Sequence, residues 1–531
     1  MTTYQDVRAA LLAREEIALI DMREEDPFAQ AHPLFAANLP WSRLELDAWQ
    51  RIPRRDTRVV VYDDGEGLAA VAAVRLRSLG YTDVSLLDGG LAGWRDAGGE
   101  LFRDVNVPSK AFGELVESQR HTPSLAAEEV KALLDAGTDM VVLDARRFDE
   151  YHTMSIPSAI STPGAELVLR ARALAPDPKT RVIVNCAGRT RSIIGTQSLV
   201  NAGLPNPVAA LRNGTIGWTL AGQALDHGKA RRAGPVDEAT QRAALVQARR
   251  VANAAGVRRI ALHALATLEE PGRTLYRFDV RHPEEHASGH VAGFSGAPGG
   301  QLVQETDMFA PVRGARIALI DDDGVRASMT ASWLAQMGWD VYVVEGAQPT
   351  DFDDAQPVKR QPTAPTSRLV TSAQLFQWRA DGGDATLVID LGPSIRYVKQ
   401  HVPGAWFALR SQLAEALKAL PPHDRIVLTD ETGELSAFAV NDESLTGEAE
   451  VWSLEGGNAG WIAAGHHTEN GEARLASPRI DRYRRPYEGT DNPREAMQGY
   501  LDWEFGLVDQ LARDGTHGFK VLSAEVIDAA G

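Results

Sequence analysis

One arrangement recurs four times along the 531 residues and limits the possible folds more than any other feature. An apolar run ends in Asp, as in ALIDMR at Asp21, VVLDAR at Asp144, YRFDVR at Asp279 and LVIDLG at Asp390. A second run opens with Arg and closes on a short polar loop: RVVVYDDGEG from Arg58, RVIVNCAGRT from Arg181, RIALIDDDGV from Arg316 and RIVLTDETGE from Arg425. From the Asp to the first loop residue the spacing is 42, 42, 42 and 40 residues, reaching Asp63, Cys186, Asp321 and Asp430. A third landmark follows as Leu87-Asp88-Gly89-Gly90 with Trp94, Leu211-Arg212-Asn213-Gly214 with Trp218, and Leu454-Glu455-Gly456-Gly457 with Trp461. The third unit keeps only Val344-Glu345-Gly346. So long a period means duplicated domains rather than a solenoid.

Helical patterns such as Ala69 to Leu79 and Ser192 to Ala202 alternate with the strands. The expected fold is therefore α/β: four tandem modules, each a mostly parallel sheet with helices on both faces. The modules span residues 1–105, 120–230, 257–347 (truncated) and 368–470. Between them lie a helical linker over 231–256, with its helix from Val236 to Ala255, and a Pro/Asp-rich linker over 348–367. A C-terminal helical extension covers 471–531, with one amphipathic helix from Arg494 to Arg513.

A net charge of -17 argues against nucleic acid or an anionic membrane as partner, since both require a basic face. The uncharged stretch from Ser192 to Leu211 is interrupted by Gln197, Asn201, Pro205, Asn206 and Pro207, so no membrane span is expected. The first residues, MTTYQDVRAALLAREE, show no signal peptide, and a reducing cytoplasm is the expected location. A single cysteine excludes an internal disulfide and a thiolate-rich zinc site.

That cysteine stands where a strand enters a Gly-containing loop followed by a helix, a junction that presents backbone N–H groups and a positive helix end. A thiol there is expected to have a depressed pKa, reinforced by Arg189 and Arg191, which would also attract an anionic substrate. The loop reads as an anion cradle around a nucleophilic sulfur. The bland alternative is a small buried hydrophobe at a strand end.

Further residues carry a family pattern. Module three has Asp279, Arg281, Glu285, His286, Gly289, His290, Val291 and Gly293. Module two has Asp144, Arg146, Glu150, Tyr151, Ile156, Pro157 and Ala159, with Ser155 and Ser158 at the usual His and Gly positions. Module four retains His401, Val402, Pro403, Gly404 and Ala405 but has Gly392 where Arg is usual. With the cysteine-led loop of module two, residues 1–470 resemble four rhodanese modules, the rhodaneses being a family of sulfurtransferases.

The resemblance implies that the Cys186 thiolate takes the outer sulfur of thiosulfate, or of a donor such as 3-mercaptopyruvate, and passes it from a persulfide to a thiol, a protein acceptor or cyanide. Backbone N–H groups of Ala187, Gly188, Arg189, Thr190, Arg191 and Ser192 would hold the anions. Arg189 and Arg191 would bind the donor, Arg191 foremost, while Arg146 would line the pocket or buttress the loop. No cofactor or metal is implied beyond the covalent persulfide. The family glycine often stands fourth in the loop; here Gly188 is third, which leaves the donor open.

Two other readings compete. Cysteine-dependent phosphatases and arsenate reductases use Cys, five residues, then Arg; Arg191 falls one residue short, and a tighter loop suits sulfur better than a phosphoryl group. A non-catalytic scaffold is the other, because Asp63, Asp321 and Asp430 replace cysteine in modules one, three and four and cannot carry a persulfide. His282, His286 and His290 are four residues apart, but Pro283 and Gly289 interrupt a helix, so no metal site is expected. Trp94, Trp218 and Trp461 are expected to be packing residues, and Gly89-Gly90 and Gly456-Gly457 to be turns.

Overall fold

The structure, a computed structural model, describes residues 1–354, 356, 358–382, 385–442, 445 and 449–530. In module two the strand Arg181–Asn185 lies between Met140–Asp144 and Val208–Leu211, with Ile160–Ser161 and Ser124–Leu125 outside them, all parallel. Modules three and four repeat this strand order. The register explains the repeat spacing. Asp21, Asp144, Asp279 and Asp390 sit directly opposite Tyr62, Asn185, Ile320 and Thr429, each the residue just before the loop position. The conserved interval is thus one crossover, long enough to carry a helix between parallel neighbours.

The strands are apolar on both sides because both faces are covered. Val182 and Val184 pack with Leu143, Leu167 and Leu199 on one face, whereas Ile183 packs with Val142, Tyr151 and Trp218 on the other. The three landmark tryptophans are buried, and their indole N–H groups donate to the carbonyls of Glu100, Ala224 and His467.

Module one departs from the pattern. Its first strand is a single bridge between Thr2 and Leu87, and its sheet gains an antiparallel strand from module three, Val312–Arg313, paired with Ala18 and Ile17. Module three has all five strands; among the described residues it lacks only the helix that follows the last strand elsewhere, as Gly90–Asp96, Gly214–Leu220 and Gly457–Ala463.

Between modules two and three runs the helix Glu238–Ala254, whose Ala244, Ala248 and Val251 join Val182, Val325 and Met329 in one core. A helix over Val107–Arg120, in an interval to which the sequence pattern assigns nothing, is buried against modules one, two and three. The single helix expected from Arg494 to Arg513 is broken at Gly506 into Arg494–Phe505 and Leu507–Asp514. Modules one and four are joined by a buried ion pair in which Arg410 meets Glu45 at 2.6 Å and Asp442 at 2.7 Å. No helix among the described residues is long and apolar enough to cross a membrane.

Candidate active site

Cys186 follows the central strand of module two and is buried, with 2 % of its surface exposed. The loop is fixed through its carbonyls. The N–H groups of Thr215 and Ile216, at the start of Gly214–Leu220, donate to the carbonyls of Cys186 and Ala187 at 2.9 and 3.0 Å. Gly214 makes this contact possible: its φ is +54°, and a Cβ there would lie 2.3 Å from the Cys186 oxygen. These two bonds hold the loop from behind at the residues where it leaves the strand. The landmark of module two, whose counterparts Gly89-Gly90 and Gly456-Gly457 read as turns in the sequence, is therefore the loop's support.

Comparison of the four modules shows what the loop N–H groups hold. The N–H six residues beyond the loop start donates to the Asp63 carboxylate from Ala69 at 2.8 Å, to Asp321 from Ala327 at 2.8 Å and to Asp430 from Ser436 at 2.9 Å. Further N–H groups from Gly65, Gly324 and Gly433 reach the same carboxylates. In module two the corresponding N–H, of Ser192, faces the Cys186 sulfur, and the thiol also donates to the Ser192 hydroxyl at 3.3 Å. Three modules thus fill the cradle with their own carboxylate, and the fourth puts sulfur in the same place.

Neither loop arginine is free. Arg191 makes a two-pronged pair with Glu150 at 2.7 and 2.8 Å. Burial alone would raise the Glu150 carboxyl, but Arg191, helped by Arg146 and Arg147, holds it down to about 2. Arg326 pairs with Glu285 in the same way in module three, so this pair belongs to the framework as well as to the site. Arg189 is buried and directed away from the sulfur, donating to Glu114 at 2.7 and 2.8 Å, to Glu117 and to Asn213, with the Phe505 ring 4.1 Å from its guanidinium carbon. Thr190 packs against Gly113.

Arg146 buttresses. It forms a two-pronged pair with Asp144, which also accepts from the Asn185 amide at 2.9 Å, and it donates to the Met154 carbonyl. Arg23 and Arg281 repeat these contacts with Asp21 and Ala31 and with Asp279 and Gly289, in modules that have no cysteine.

The expected depression of the thiol pKa is corrected by the structure. Burial pushes the Cys186 thiol up; Arg191 and Ser192 pull it down, and Glu504 adds to the rise. Glu504 belongs to the extension, which sequence reasoning did not connect with the site. The helix Arg494–Phe505 lies across the loop so closely that a Cβ at Gly188 would meet Tyr500 Cε1 at 3.1 Å and Glu504 Oε2 at 3.3 Å. Its aromatic residues are the only sequence signal, and they do not say which module they cover.

Beside Arg191 opens a polar cavity of about 670 Å³, walled also by Arg147, Gln304 of module three, Arg396 of module four, and Arg485 and Tyr487 of the extension. The three histidines of module three do not converge. His282 Nε2 contacts Glu166 at 2.7 Å, while His286 contacts Asp279 and stacks on His290. Glu166, His282 and Glu285 do come together, but Arg326 donates to both carboxylates and supplies the positive charge there.

The chain is similar to known proteins. The Rhodanese-like domain matches residues 3–97, 126–221 and 372–464. The crystal structure of a thiosulfate sulfurtransferase from Pseudomonas aeruginosa is 64% identical, with a TM-score of 0.96, covering 98% of this chain and 99% of that one. An uncharacterized protein of Synechocystis sp. is 31% identical over 98 residues; the match takes in 18% of this chain and 54% of that protein.

Proposed function

Because the chain belongs to the rhodanese-like family, we propose that it is a thiosulfate sulfurtransferase with a single working module, the second. The observation that carries this reading is the replacement of three cradled carboxylates by one cradled sulfur. A pocket built to hold an anion at the strand end is what a thiolate, and then a persulfide, requires.

The Cys186 thiolate attacks the outer sulfur of thiosulfate. A sulfur–sulfur bond forms to Cys186, the bond within thiosulfate breaks, and its electron pair leaves with sulfite. An acceptor thiolate then attacks the outer sulfur of the persulfide, and the electron pair of the broken bond returns to Cys186. Arg191 faces both the cavity and the sulfur, so it is the group best placed to draw a dianionic donor in. Arg189 acts further back, holding the loop to the Val107–Arg120 helix. The cycle returns Cys186 as a free thiol, which suits a reducing compartment such as the cytoplasm.

Intact mass spectrometry after incubation with thiosulfate and, separately, 3-mercaptopyruvate tests the reading. One added sulfur is expected on the unaltered protein and none on Cys186→Ser, whose oxygen cannot store sulfane sulfur. Sulfur uptake by Cys186→Ser, or turnover of aryl phosphates exceeding that of thiosulfate, would sink it.

A further inference from the structure

The extension places an acid on the sulfur loop whose second oxygen has no partner. Glu504 is fully buried, and its Oε1 accepts from the Tyr500 hydroxyl at 2.7 Å. Its Oε2 has no hydrogen-bond partner among the described residues and faces Gly188. Buried polar atoms are nearly always satisfied, so an orphan oxygen set against the sulfur loop at Gly188 needs a reason. A purely structural role at this position is served as well by an apolar side chain.

The neighbours decide the proton state. From the Val107–Arg120 helix come Lys110 and Glu114, from the loop Cys186 and Arg189, and from the extension Tyr500. Each cation is already paired: Lys110 with Asp104 at 2.6 Å, Arg189 with Glu114 and Glu117. No positive charge is left for a Glu504 carboxylate, and an unpaired buried charge costs several kcal/mol. A neutral acid keeps its proton on Oε2 and becomes a donor pointing into the loop.

Building on the sulfurtransferase reading, we propose that Glu504 is a positioning residue for Cys186: as a neutral acid it closes the cradle from the Gly188 side, and as a carboxylate it opposes the sulfur anion. Burial, with Glu114 beside it, pushes this carboxyl up to about 8, against the pull of Lys110, Tyr500 and Arg189. Activity therefore declines on the alkaline side as Glu504 ionises. The proton stays on Glu504 through both sulfur-transfer steps.

Glu504→Gln keeps the shape and a neutral donor. At pH 7 its kcat/KM should stay within about twofold of the unaltered protein, whereas Glu504→Leu, with no donor to offer the sulfur anion that forms during the reaction, should lose about tenfold, the value of one hydrogen bond to a charged group. The alkaline decline should vanish in Glu504→Gln. Tyr500→Phe removes a hydrogen bond that favours the carboxylate, so its decline should move to higher pH. Alkylation of Cys186 by iodoacetamide against pH reads the thiol without any sulfur donor, and its midpoint should fall in Glu504→Gln. A Glu504→Gln alkylation profile superposing on that of the unaltered protein, or an unmoved alkaline limb in Tyr500→Phe, overturns the proposal. A shifted alkylation profile in a protein that takes up no sulfur upholds the control of the thiol by Glu504 and removes the sulfurtransferase reading instead.

Discussion

Replacing Gly214 by alanine tests whether the helix Gly214–Leu220 truly carries the loop. Gly214 and Gly222 both have positive φ, +54° and +74°, so alanine pays the left-handed backbone cost of roughly 1–2 kcal/mol at either site. Only at Gly214 does the new Cβ meet anything: Cys186 O at 2.3 Å, against nothing within 4 Å at Gly222. Relieving that contact means moving the loop by about 1 Å, an overpacking cost of roughly 1–3 kcal/mol, and stretching the Thr215 and Ile216 hydrogen bonds. Gly214→Ala is therefore expected to lower stability by about 2–5 kcal/mol and Gly222→Ala by only ~1–2. The functional contrast is sharper, because misplacing a nucleophile by about 1 Å can cost on the order of 100-fold. Thermal unfolding and kcat/KM for thiosulfate, measured on both variants, give the comparison. Equal losses in the two would refute the argument that the landmark glycine exists for the loop carbonyl.

Asp63→Cys, made in a Cys186→Ser background, should not create a working site: Asp64 and Glu66 stand where module two has Ala187 and Arg189, and carboxylates disfavour a thiolate and repel thiosulfate. Uptake of one sulfur by that variant at neutral pH would show that loop charge does not silence module one. Glu150 titrates near 2 in the folded chain against an ordinary 4.5, so its pair with Arg191 adds stability that is present above pH 4.5 and is lost as pH falls toward 2. The full difference is about 3 kcal/mol. Urea midpoints between pH 5 and 2 should show a shallower acid dependence in Glu150→Gln, and an unchanged slope would contradict the depressed value.

Local features were legible in the sequence. The Asp-to-loop interval is a crossover length, the strands are apolar throughout because both faces are covered, and the loop helix starts at Thr190 against an expected Ser192. Cys186 stood out as the single cysteine, set where a strand enters a loop with Gly188, Arg189 and Arg191, whereas that the aspartates of the other modules fill the same cradle is a fact of hydrogen-bond geometry and not of spacing. Long-range partners were hidden. Arg189 looked available because Glu114 lies 75 residues earlier on a helix whose Pro108, Gly113 and charged residues disguise its burial. The thiol looked activated because the helix carrying Glu504 arrives from the far end of the chain, and no periodicity says where an amphipathic helix docks.

The borrowed strand in module one bears on when that module's sheet can be completed. Ile17–Asp21 shares one edge between Ala37–Asn38, which covers its last residues, and Val312–Arg313, which covers its first. As the chain leaves the ribosome, the first module therefore keeps Ile17 and Ala18 on a bare strand edge until the third is nearly complete, so its sheet closes only after the third is made. A gene rearrangement that excised module three would do more than shorten the protein. It would leave module one with an unpaired edge, the usual template for aggregation, so the four repeats have ceased to be interchangeable units.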